Sequence, residues 1–138
     1  MELMRRFANE VRKDAEKLAT LIARETGKPL WESRTEVESV INKVEISIRA
    51  YAERTSQRKL DNALQGTAAL RHKPHGVMAV LGPYNFPAHL PNGHIVPALI
   101  AGNAIVFKPS EKTPATAELL VQCFHRAGIS AAVVQLLI

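Results

Sequence analysis

Apolar residues at Leu3, Phe7, Val11, Leu18, Leu21 and Ile22 recur at helical spacing and predict one amphipathic helix with a single buried stripe. Gly27 and Pro29 should end it, glycine as a left-handed cap and proline because it cannot continue the ladder. Val37, Val40, Ile41, Val44, Ile48 and Tyr51 then mark the apolar face of a second helix. Thr55 to Gln65 is polar and reads as a connector. Thr67 to Lys73 reads as a short strand, with Pro74 as its terminator. Beyond Gly76 the pattern changes to short continuous apolar runs. Val77–Leu81, Asn103–Phe107 and Val133–Ile138 each read as a buried strand of the kind found inside a parallel sheet.

Helical stretches separate these runs. Residues 88–101 have helical periodicity but contain Pro91 and Pro97, which predicts a short or broken helix. Residues 114–127 are cleaner: Thr113 suits the N-cap, Pro114 the first helical position and Gly128 the far end. Strand–helix–strand–helix–strand predicts βαβ units. The fold class is therefore α/β, with N-terminal helices over residues 1–65. Part of a doubly wound, Rossmann-like parallel sheet follows over residues 66–138. In such sheets ligands sit beyond the carboxyl ends of the strands, which directs attention to the run Gly82–Glu111.

Composition narrows the function classes. The chain has 138 residues, enough for one domain with a real core, and no apolar run long enough for a membrane helix. A single cysteine, Cys123, excludes an intrachain disulfide and fits a reducing, cytoplasmic setting. The net charge of +5 invites a nucleic-acid reading. Basic and acidic residues are interleaved, however, as on solvated helix faces, and the short basic stretch Arg71–His75 has no aromatic neighbours for base stacking. None of the five histidines pairs with Cys, Asp or Glu at structural-zinc spacing, so no metal site is expected. The glycine-rich dinucleotide fingerprint is also missing: the turn after Val77–Leu81 reads Gly82-Pro83-Tyr84-Asn85.

The wording Gly82–Pro87, Pro97–Asn103 and Phe107–Glu111 resembles the NAD(P)-dependent aldehyde dehydrogenase superfamily, over essentially the whole chain. The runs His89–Asn103 and Glu25–Val37 are most similar to a branch that oxidises succinylglutamate semialdehyde in arginine catabolism. The resemblance implies that Asn85 donates its side-chain amide to the oxyanion formed when a thiolate attacks an aldehyde. A preorganised neutral donor is suited to that task. Taken from the turn alone, an asparagine there could equally hydrogen-bond its own backbone. The resemblance also implies that Lys108 and Glu111 contact the adenosine ribose, with Pro83, Tyr84 and Ser110 lining the cofactor path. A carboxylate at Glu111 would repel a 2′-phosphate and so favour NAD.

Cys123 is not the expected nucleophile, because it lies mid-helix on the stripe with Leu119, Leu120 and Phe124. The resemblance places the family's catalytic cysteine, its water-activating glutamate and the pyrophosphate-binding turn beyond Ile138. The chain then reads as a truncated part of the fold, inactive in isolation. The complete enzyme would be a homo-oligomer acting on a small-molecule aldehyde, with neither nucleic acid nor membrane as partner. The alternative is a non-catalytic nucleotide-binding or assembly domain.

Overall fold

The computed structural model describes residues 1–56, 58–60 and 68–138. Three helices come first: α1 (Glu2–Lys13), α2 (Ala15–Thr26) and α3 (Leu30–Arg54). The single helix expected before Gly27 is thus two, parted at Asp14, whose φ of −101° and ψ of 16° leave the helical well. Asp14 is held there by Arg126 at the end of the last helix, a contact local spacing does not contain. Leu3 is exposed, and Met4, Phe7, Ala8 and Val11 form the buried stripe of α1 instead. Gly27 closes α2 in the left-handed conformation with φ of 78°, as its position predicts.

The polar stretch after α3 is not only a connector. It contains β1 (Arg58–Leu60), which pairs antiparallel with β2 (Ala68–Leu70), Arg58 opposite Leu70. Residues 57 and 61–65 of that stretch, with Thr67 at the start of the strand expected next and the boundary drawn at 65/66, lie outside the described residues. The main sheet follows, with strands β3 (Val77–Leu81), β4 (Ala104–Lys108) and β5 (Val134–Leu136), all parallel in the order β3-β4-β5. Helices α4 (His89–Ile100) and α5 (Pro114–Arg126) connect them.

Two expectations need correction here. Among the described residues β3 and β5 are both edge strands: Val77 is 69%, Leu81 76% and Ile138, just past β5, 75% exposed, and within the two strands only Val80 and Val134 are buried. A continuous apolar run is the same signature whether a strand has one neighbour or two. Helix α4 is also unbroken, despite both prolines. Pro91 falls in the first turn, where the missing N–H would have had no partner, and only Pro97 removes an internal bond.

One apolar core joins the helices to the sheet. Phe7 of α1 and Phe124 of α5 stack with ring centroids 3.7 Å apart and planes 2° apart, both fully buried. Side-chain amides fix the rest. Asn92 of α4 donates to the Val40 carbonyl of α3 at 3.0 Å. Asn103 accepts from the His75 and Gly76 amides at 2.7 and 3.1 Å and donates to the Ala98 carbonyl at 3.0 Å. Asn103 thereby ties the entry of β3 to the end of α4. No described helix is long and apolar enough to cross a membrane.

Candidate active site

The parallel register decides which turns meet. Leu81 lies opposite Lys108, and the Gly82 amide extends the ladder by donating to the Lys108 carbonyl at 2.8 Å. The turn after β3 (Pro83, Tyr84, Asn85) and the turn after β4 (Pro109, Ser110, Glu111) therefore leave the sheet side by side at its carboxyl edge. Gly82 is required for this approach. A Cβ there would stand 2.9 Å from Cε2 of Phe107 and 3.1 Å from Cγ of Pro91. A Lys112 ammonium 5.2 Å above the Tyr84 ring links the two turns.

All six residues singled out in the sequence occupy these two turns or the strand end beside them. Asn85 is exposed, and among the described residues its side chain makes no hydrogen bond, to its own backbone or elsewhere. The Tyr84 hydroxyl donates to the Thr26 carbonyl at 2.7 Å, and Pro83 is half-buried. Lys108 folds back on its own turn, its ammonium donating to the Pro109 carbonyl at 2.9 Å. Ser110 accepts the Lys112 amide at 3.3 Å, and Glu111 is exposed. Together the second turn offers an ammonium, a hydroxyl and a carboxylate. That set can both donate to and accept from the vicinal hydroxyls of a ribose.

Sequence reasoning missed two glutamates. Glu36 of α3 accepts the Ala88 and His89 amides on Oε1, both at 3.0 Å, and so occupies the N-terminus of α4. Glu25 of α2 accepts the Ala115 and Thr116 amides at 2.9 Å and so occupies the N-terminus of α5. Thr113 stands at the N-cap of α5 as expected, yet its buried hydroxyl makes no cap bond because Glu25 does that work. The positive ends of both crossover helices are thus satisfied by protein carboxylates. A dinucleotide pyrophosphate finds no free helix N-terminus at α4 or α5, in keeping with the absent glycine fingerprint.

Cys123 is fully buried, and burial pushes its thiol up to about 11. A thiol so raised is almost wholly protonated at neutral pH and is a poor nucleophile. Ellman's reagent should therefore label the native protein slowly and the denatured protein at once. Rapid labelling of the folded protein would contradict the burial. Among the described residues no cluster of three or more His, Cys, Asp or Glu could hold a metal ion.

Comparison with known proteins gives consistent matches. The aldehyde dehydrogenase family model matches residues 1–138. The N-succinylglutamate 5-semialdehyde dehydrogenase of Novosphingobium aromaticivorans is 87% identical over 138 residues, covering 100% of this chain and 29% of that protein. An aldehyde dehydrogenase from Brucella melitensis superposes with a TM-score of 0.92 at 31% identity, over 99% of this chain and 28% of the other. An NADP-dependent glyceraldehyde-3-phosphate dehydrogenase from Bacillus halodurans, complexed with NADP, superposes with a TM-score of 0.90 at 25% identity, over 99% and 30%. The chain spans less than a third of the length of the curated relatives it matches.

Proposed function

The chain belongs to the aldehyde dehydrogenase family, and we propose that it supplies the oxyanion donor and the adenosine-side contacts of an enzyme oxidising succinylglutamate semialdehyde to succinylglutamate. The observation that carries this reading is the register Leu81 opposite Lys108, which sets the Asn85 turn beside the Lys108–Glu111 turn. The 87% identity to a relative named for that substrate supports the substrate class.

Lys108 and Glu111 would hold the adenosine ribose, Lys108 donating and Glu111 accepting, with Pro83, Tyr84 and Ser110 along the path. NAD, when bound, supplies the hydride acceptor. The Asn85 amide would donate to the aldehyde oxygen as negative charge gathers there, which requires no change in its own protonation. The nucleophile is not assigned within residues 1–138, since the one cysteine is buried and protonated. NAD is preferred to NADP because the Glu111 carboxylate would face a 2′-phosphate with like charge. This enzyme would work as a homo-oligomer, as the family resemblance implies, and in the cytoplasm, a setting its single cysteine fits.

The test is reduction of NAD and NADP by the full-length gene product with succinylglutamate semialdehyde. Turnover with NAD at lower KM is expected, and Glu111→Gln should narrow the preference by about tenfold, or 1.4 kcal/mol. No reduction of either cofactor would overturn the reading. Tighter NADP than NAD binding would overturn the role of Glu111.

A further inference from the structure

The buried face of α3 carries Val37, Val40 and Val44, and among them one charged side chain, Glu36, with no exposed surface. A buried carboxylate is costly unless it is paired and its lone pairs are used. Oε1 accepts the Ala88 and His89 amides, and Oε2 accepts the Lys28 ammonium at 2.8 Å. The same ammonium lies 3.6 Å above the centroid of the Phe86 ring.

These contacts bracket one residue. Tyr84 is tied to Thr26, while Phe86, Ala88 and His89 are tied to Lys28 and Glu36. Asn85 stands between them with its own amide uncommitted among the described residues. An amide that must meet developing charge gains most when its backbone is already fixed and its donor is left free. Resting on the oxyanion reading of Asn85, we infer that Glu36, acting through Lys28 and the first amides of α4, is a positioning residue that fixes the Asn85 turn.

The experiment combines a double-mutant cycle with hydrogen exchange, in the full-length gene product. Glu36→Gln keeps the side-chain size but loses the nearer and buried of the two carboxylates on Lys28, the other being the more exposed Glu32 at 4.0 Å. It should lower kcat about tenfold with the KM for NAD unchanged within about twofold, the split expected when only a transition-state contact is lost. In an Asn85→Ala background the same change should have almost no further effect, because the two act as one unit. Multiplicative losses would overturn the proposal. Phe86→Leu, on a half-buried ring that the fold can spare, should give the same kcat-selective loss.

Exchange supplies a readout apart from turnover. Amides of Tyr84, Asn85, Phe86, Ala88 and His89 should exchange faster in Glu36→Gln and in Phe86→Leu, while Ala115 and Thr116, held by Glu25, keep their protection. Unchanged exchange over 84–89 would overturn the proposal. If Asn85→Ala leaves kcat intact, the oxyanion reading fails, and the exchange result still decides whether Glu36 fixes the turn.

Discussion

Asn85→Ala should lower kcat of the full-length gene product by about 10²–10³-fold while moving KM little, the usual consequence of removing one oxyanion donor. The geometry gives the reason. Asn85 lies just past the end of β3, exposed, at the carboxyl edge of the sheet. The competing role for an asparagine in a proline-flanked turn is a bond to its own backbone. That bond is absent among the described residues, so the amide is not spent on local structure. Alanine therefore removes a donor without removing a turn-forming contact, and the melting temperature should hardly change. Asn85→Asp is the sharper variant. It is nearly isosteric, yet it places a negative charge where negative charge develops, so it should be at least as damaging as alanine. A loss below about threefold in both variants, with rates measured at saturating substrate, would remove Asn85 from the chemistry.

The largest stability effect is expected at the stacked pair Phe7–Phe124. Both rings are fully buried, and together they clamp α1 onto α5. With centroids 3.7 Å apart and planes nearly parallel, the rings stack closely and seal the α1–α5 contact from water. Their worth is chiefly the apolar area they bury. Phe124→Ala should cost about 3–5 kcal/mol, and thermal unfolding should shift down by roughly 10 °C or more. Phe124→Leu keeps much of the volume and should cost less than half as much. A melting temperature within about 2 °C of the parent for Phe124→Ala would mean that the helices are held by other contacts.

Local chemistry made part of this architecture legible. α5 follows its punctuation closely, because Pro114 and Gly128 act within a turn of where they stand. The strand β4 and the turns after β3 and β4 are equally readable, since short apolar runs bounded by Gly and Pro carry their own limits. What failed depends on distant partners. The break at Asp14 is invisible in the spacing because Val11 and Leu18 stay in phase across it, and the residue that fixes it is Arg126. β3 read as interior because sequence does not say which strand lies at an edge.

The candidate site shows the same division. The turns within Gly82–Glu111 are set by residues local to them, whereas Glu25 and Glu36 act on amides far away in the chain. One signal for Glu36 was present. It shares the i, i+4 phase of Val40 and Val44, so a helix that buries those valines must bury the carboxylate too. A charge in phase with a core stripe calls for a partner, and here the partner is the start of another helix.

The two glutamates have a consequence for recombination. Glu25 and Glu36 flank a single tight bend, Gly27–Pro29, and each grips a different crossover helix. Shortening or lengthening that bend by one residue would change where α3 sits against α2 and carry one carboxylate off its amides. Chimaeras assembled from homologous genes should therefore inherit residues 25–36 and 82–116 from the same parent, as one indivisible cassette. A single junction between β1 and β2 would part both glutamates from the amides they hold.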